Sequence, residues 1–412
     1  MYECIILLQL FFMQIRKSAS AWWGPPKKFE PLQNERRISW LELFFDLVYV
    51  IAISHITHHL AAHISFDNFL EYCCLFTLIY WGWLNGSIYH DLHGNEGLRT
   101  RLITLWQMMI IAAIVIALEI NPDPHHHYLI TAFMIMQLFI TYLWWSVGLY
   151  DKEHRRYSWP YILLYLISFF LMACSLFLPD NYLQFIIPLI IICNYSPPFI
   201  SYFFNRSSRE FNLSTSMFER LGLLTIILFG ELVLGVVNGV IGIHTFDFSL
   251  WLNFALAMSI AFALWWIFFT VIASREAKDN FLRASLLELI YLPTIIALGF
   301  LAAIFSSFFG ESATVDLQPL FGYGIAAFLI SISLLTGLLK YPNTFNDLII
   351  QLRFSILITG IVFIIFSILN LPLSQTGYLI SVIMILTIEI LFLNFMYYKR
   401  VSEEDVNQKE DI

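Results

Sequence analysis

Apolar residues in this chain come in blocks of about twenty, rather than in the narrow stripes of a soluble helix or the strict alternation of a half-buried strand. A hydrocarbon core about 30 Å thick takes about 20 mostly apolar residues per helical crossing. Windows of that length run over 40–62, 69–90, 102–120, 127–150, 159–178, 182–204, 217–242, 248–272, 284–308, 318–339, 353–370 and 374–398. The pattern predicts an all-α integral membrane protein of about twelve transmembrane helices.

The positive charges give these windows an orientation, because Lys and Arg near the ends of short loops stay on the cytoplasmic side. All 22 fall on one side of the predicted alternation. Six lie in the arm before the first window, Arg16, Lys17, Lys27, Lys28, Arg36 and Arg37. Every second loop is then basic, from Arg99 and Arg101 through Lys152, Arg155 and Arg156, then Arg206, Arg209 and Arg220, to Arg275, Lys278 and Arg283, and Lys340 and Arg353. Lys399, Arg400 and Lys409 close the tail. The intervening loops, such as Asn121 to His126 and Gly310 to Gln318, hold neither residue. Both termini are therefore expected in the cytoplasm.

Composition removes the soluble alternatives. Of 412 residues 59% are apolar and 13% charged, against roughly 25% charged in an ordinary soluble domain. The net charge of -8 splits into a mixed cytoplasmic face and an acidic opposite face. No segment is left for a nucleic-acid-binding or soluble catalytic domain. The expected organisation is a cytoplasmic arm (1–39), a six-helix half (40–204), a polar linker (205–216), a second six-helix half (217–398) and a cytoplasmic tail (399–412). Cys73, Cys74, Cys174 and Cys193 sit inside apolar windows, and Cys4 near the start, without metal-ligand spacing; they read as small apolar packers, and no metal or cofactor is expected. The Ile5 to Phe12 stretch is apolar but too short to span.

A shift of about 180 residues, the difference between windows 1 and 7, lays Trp40 and Glu42 on Phe218 and Arg220, and Trp81 and Trp83 on Trp265 and Trp266. Six crossings per half leave both halves with the same orientation, so the expectation is a 6+6 parallel repeat.

Ionisable groups inside hydrocarbon are costly and need a reason. In the first window Glu42 and Asp46 are four residues apart, on one helical face with Tyr49. They read either as partners of the basic loops or as a cation or proton site. Further along, His55 and His59 share a face, with His58 beside them; they are candidates for proton relay, set against ordinary interfacial histidine. His125, His126 and His127 read as a solvated loop. In the seventh window Glu219 and Arg220 mark the cytoplasmic end, as a gate or ion pair, and Glu231 follows eleven residues after Arg220, about 16 Å deeper. Gly235 and Asn238 continue its face, and Gly235 with Gly239 reads equally as a packing ridge. Glu42, Asp46, Tyr49, Glu231 and Asn238 form the candidate central polar site, with Glu288 and Glu389 as further relay candidates. Prolines in Asn194-Tyr-Ser-Pro-Pro and at Pro293 are expected to kink or break their helices.

The segments Ser39-Trp-Leu-Glu-Leu-Phe-Phe-Asp-Leu-Val-Tyr-Val-Ile-Ala-Ile-Ser-His and Phe218-Glu-Arg-Leu-Gly-Leu-Leu-Thr-Ile-Ile-Leu-Phe-Gly-Glu resemble the bacterial low temperature requirement protein A (LtrA) family. Two positions depart from the family pattern: Thr270 stands where the family often has Asp, and Tyr291 where it often has His. The resemblance implies a multi-pass protein of the bacterial inner membrane with a link to growth in the cold. The polar residues suggest a secondary transporter or permease, with the bilayer and a small solute or ion, protons included, as partners and homo-oligomerisation open. A non-transporting cold-adaptation protein and a lipid-acting membrane enzyme are the alternatives, and an enzyme is the least expected. The topology is testable with reporter fusions. A periplasm-active phosphatase fused within 121–126 should be active and one fused after Lys152 inactive; the reverse pattern would refute the orientation.

Overall fold

The computed structural model describes residues 38–94, 97–120, 127–150, 155–204, 214–241, 243, 247–273, 275–278, 281–309, 316–341 and 346–410. The arm before residue 38, His125, His126 and most of the 205–216 linker lie outside them. The helices are α1 (Trp40–Ala62), α2 (Phe66–His93), α3 (Leu98–Glu119), α4 (His127–Tyr150), α5 (Arg155–Ser175), α6 (Leu183–Tyr195), α7 (Pro197–Phe204), α8 (Thr215–Ile241), α9 (Phe248–Ile272), α10 (Phe281–Phe308), α11 (Leu317–Thr336), α12 (Asn346–Leu369) and α13 (Gln375–Glu410). A two-residue pairing, β1 (Glu276–Ala277) with β2 (Leu339–Lys340), is antiparallel.

Among the described residues ten helices are long and apolar enough to cross a membrane, or eleven if α6 and α7 count as one bent span. The window expected over 69–90 lies in α2, which is not among them. At 28 residues α2 is about 42 Å long and could cross. Its hydropathy is lowered by Thr77, Asn85, Ser87 and His90, all turned into the interior. A helix that hides its polar side from lipid reads as less apolar than the surface it presents.

The break at Asn194-Tyr-Ser-Pro-Pro is present, with α6 and α7 meeting at 47° around Ser196. Pro197 opens α7, where its missing N–H is not needed. At Pro293 α10 is not broken and continues as one helix. Packed neighbours lie on most sides of α10, the most enclosed of the spans, and support the backbone where the proline removes a hydrogen bond.

The chain divides into two compact units, residues Met1–Ala52 with Thr77–Arg220, and Ile53–Phe76 with Leu221–Ile412. The first has an aromatic core of Phe45, Tyr49, Trp81, Trp83, Trp144 and Tyr165. Asn85 is its polar hub: its side-chain oxygen accepts from the Trp144 indole at 2.9 Å and from the Tyr165 hydroxyl at 2.8 Å. Its amide donates to the Trp81 carbonyl, so burial leaves none of these groups dry and unpaired.

In the second unit, close approaches set helix direction. Thr225 meets Tyr291, Gly235 lies against Ala302, and Gly239 against Phe305, so α8 and α10 run in the same direction. The Ser307 hydroxyl donates to the Ala61 carbonyl and Gly299 faces Thr57, which aligns the end of α1 with them. Tyr72 donates to the Ile296 carbonyl while Phe69 packs on Phe300, which sets α2 antiparallel to α10. These are the directions that first, seventh and ninth crossings share and a second opposes.

Gly235 and Gly239 resolve as a packing ridge. A Cβ at Gly235 would fall 2.3 Å from the Ala302 carbonyl oxygen, and one at Gly239 2.4 Å from that of Phe305; both neighbours are backbone and cannot yield. At Gly230 a Cβ would meet nothing within 4 Å. Gly235→Ala should therefore destabilise by about 1–3 kcal/mol, whereas Gly230→Ala should be neutral or stabilising by up to about 1 kcal/mol. Thermal unfolding of the two variants in detergent checks this, and equal effects would refute the ridge.

Candidate functional site

Ser39-Trp-Leu-Glu42 begins α1 with a reciprocal cap. Ser39 donates both its backbone N–H and its hydroxyl to Glu42 Oε2 at 2.9 Å, and the Glu42 N–H donates back to Ser39 Oγ at 3.3 Å. This is the capping box that Ser or Thr followed three residues later by Glu announces, a signal present in the sequence but masked there by reading Glu42 as an intramembrane acid. One carboxylate oxygen is thereby used by the helix end. The other faces Arg220 Nη1 at 3.5 Å.

One helical turn deeper, Asp46 is fully buried and holds Arg220 with both oxygens. Arg220 Nε donates to Oδ2 at 3.2 Å and Nη2 to Oδ1 at 2.5 Å. The Trp83 indole donates to Oδ1 at 2.7 Å. The guanidinium carbon lies 5.6 Å from the Phe45 ring centroid and 5.7 Å from that of Trp83, so aromatic faces cover what the carboxylates do not. Arg220 is 1% exposed. Only a planar fork can satisfy Asp46 in this way. Glu219, one residue earlier, is exposed. Consecutive helix residues point about 100° apart, and the ion pair expected at this point is made by Arg220 across to α1, not with its neighbour.

Tyr49, the third residue of that α1 face, is buried with different partners. Gln107 Nε2 donates to its hydroxyl oxygen and to the Gly82 carbonyl, both at 2.9 Å, and the hydroxyl points at Met136 Sδ. At the same end of this unit the Ser216 hydroxyl donates to the Asp91 carboxylate, His90 pairs with Thr104, and Arg99 Nη2 donates to Ser146 Oγ at 3.1 Å. The starts of α1, α3 and α8 and the ends of α2 and α4 thus share one polar rim.

Glu231 belongs to the second unit, and its carboxylate accepts from the Ser54 hydroxyl at 2.8 Å. Among the described residues it has no Lys, Arg or His within ion-pair distance. Asn238, two turns on, is half-buried. Asp46 and Glu231 therefore meet α1 and α8 differently, the first through a full ion pair and the second through a single hydroxyl. Tyr291, at the position where the family often has His, donates to the Leu221 carbonyl at 2.9 Å and pairs with the Thr225 hydroxyl at 2.6 Å. Thr270 is exposed.

The relay candidates are dispersed. His55 is half-buried, and His58 and His59 are exposed. Glu288 is buried in α10. Glu389, in α13, is buried against α12, where Ser355 and Thr359 face its carboxylate. Reading from the sequence alone found the acids but not Ser54, Trp83, Gln107, Ser355 or Thr359. Neutral residues carry no cost that marks them until the acid they serve is seen beside them.

The bacterial low temperature requirement A protein (LtrA) family matches residues 37–391. The chain belongs to this family. No curated protein shows a significant match to it. Membership and the apolar helices make this LtrA-family chain a polytopic membrane protein, and the match begins just before the capping box and closes two residues after Glu389.

The ion pair makes a graded prediction. Arg220→Ala strands Asp46 without its cation and should cost about 3–5 kcal/mol. Arg220→Lys should recover only part, since one ammonium cannot span both oxygens. Asp46→Asn combined with Arg220→Gln should be less damaging than Arg220→Ala alone. Unfolding midpoints in detergent read all three; a double variant as unstable as Arg220→Ala would remove the pair from its stabilising role.

Proposed function

We propose that this protein is a proton-coupled secondary transporter of the bacterial cytoplasmic membrane. It would cross the bilayer twelve times, with both termini in the cytoplasm and the halves 40–204 and 217–398 as a parallel repeat. The twelve crossings are the ten apolar helices, the bent α6–α7 pair and α2. The reading rests on one observation: Glu231 is held by a neutral hydroxyl, Ser54, rather than by a cation. A carboxyl in this setting can take up and release a proton without breaking an ion pair, which is what a coupling site must do. Nothing in the residues names the solute; a small molecule or ion is the class. The proposal includes no catalysis by the protein and no cofactor.

A second reading, a non-transporting membrane protein that supports growth in the cold, is favoured by the completeness of the Asp46–Arg220–Trp83 arrangement, which resembles a packing device. The family name carries the low-temperature requirement but no activity.

The test is reconstitution into liposomes containing a pH-sensitive dye, screened against amino acids, sugars, organic ions and metal ions. A solute-dependent proton flux is expected from the wild type, lost in Glu231→Gln and reduced in Ser54→Ala. If no solute moves protons, and Glu231→Gln cells grow in the cold like wild type, the transport reading fails and the second stands.

A further inference from the structure

Glu389 lies in α13, seven residues before Met396 at the end of the apolar span, hence about 10 Å in from that end. It is 4% exposed. Ser355 Oγ sits 2.8 and 2.7 Å from its two carboxylate oxygens and Thr359 Oγ1 2.8 Å from Oε2. Among the described residues those are its hydrogen-bond partners, and both are neutral. Each hydroxyl has one proton, so the single Ser355 proton cannot fully serve both oxygens it touches. An ionised Glu389 would rest a full charge on two shared hydroxyl protons in a water-poor site. A neutral carboxyl resolves the count: its own O–H donates to one hydroxyl oxygen, and its carbonyl oxygen accepts from the other.

Among the described residues the helices packed against α13 bring no cation to it. α13 packs against α9 and α12. α9 has no titratable side chain anywhere along its length. α12 carries Asp347, two turns before Ser355, and Arg353, whose guanidinium lies against Gly337 after α11. α11 has Tyr323, which is exposed. Within the α13 span the other titratable group is Tyr378, eleven residues away and donating to the Gln318 carbonyl. The outer side of the hairpin is apolar: Ile358, Ile388 and Phe392 are 58%, 65% and 40% exposed.

We propose that Glu389, with Ser355 and Thr359, is a proton-binding site that keeps its proton at neutral pH under a lipid-facing helix hairpin. It is a titratable site separate from Glu231 and does not depend on the transport reading. The sequence marked Glu389 as a relay candidate but not its partners, because Ser355 and Thr359 are ordinary helix residues until α13 brings an acid to them.

A carboxyl that is protonated and reached from lipid reacts with hydrophobic carbodiimides. Its proton passes to a carbodiimide nitrogen and its oxygen bonds to the central carbon. The acyl group then moves from oxygen to nitrogen as an N-acylurea, so the adduct keeps the whole reagent mass. The full-length protein in liposomes would be treated with dicyclohexylcarbodiimide or with a water-soluble carbodiimide, and its peptides mapped by mass. The expected result is modification at Glu389 by the hydrophobic reagent and little by the soluble one, falling about tenfold per pH unit once the pH passes the site's pKa. Glu389→Gln should lose that adduct, and labelling of the wild type keeps the test independent of how that variant folds. Absence of the adduct at neutral pH, or labelling indifferent to pH, overturns the proposal. Protection by sodium at constant pH also overturns it, by assigning the occupant as a metal cation. Labelling confined to Glu231 refutes this site and leaves the transport reading standing.

Discussion

Inside hydrocarbon no water stands ready to solvate a charge, and the Asp46–Arg220 pair is where this chain meets that constraint most directly. A guanidinium buried to 1% exposure is tolerable only if nearly every donor finds an oxygen or an aromatic face. Asp46 supplies two oxygens, Glu42 a third at longer range, and Phe45 and Trp83 the faces. To deliver them, α1 must begin at Ser39, α8 must place Arg220 at its first turns, and α2 must point Trp83 at the same spot. Three helices are tied by one cation, and the register of each follows.

The same constraint explains the rest of the polar interior. In the first unit Asn85 ties α2 to Trp144 and Tyr165, and Gln107 ties α3 to Tyr49 and the Gly82 carbonyl. In the second, Tyr291 and Ser307 spend their hydroxyls on carbonyls of neighbouring helices. Small residues let the helices approach, as where Gly235 rests on the Ala302 backbone. Two acids differ from the ion-paired Asp46: Glu231 and Glu389. Among the described residues their hydrogen-bond partners are hydroxyls.

Much of the architecture was legible in the chain. The apolar blocks gave the spans, since nothing else accommodates such lengths, and the prolines after Ser196 gave the break in the sixth. Pro293 did not break its helix, because packed neighbours enclose α10 and support the turn that lacks a hydrogen bond. Glu42 was legible as an acid but not as a cap, although Ser39 three residues before it carried the signal. Glu42, Asp46, Tyr49, Glu231 and Asn238 were legible as a set only by their shared chemistry: in the structure Glu42 and Asp46 share Arg220, while Tyr49 bonds Gln107 and Glu231 bonds Ser54.

By itself, then, the sequence determined the class of protein, the positions of the helices and their family, because hydrophobic length, basic loops and short motifs are local properties. Only the tertiary structure decided that Arg220 pairs with Asp46 rather than Glu219, that Glu231 answers to Ser54, and that Glu389 sits between two hydroxyls. The reason is physical. A buried charge is defined by what surrounds it, and those surroundings come from residues 30 to 177 positions away, which no local pattern can pair.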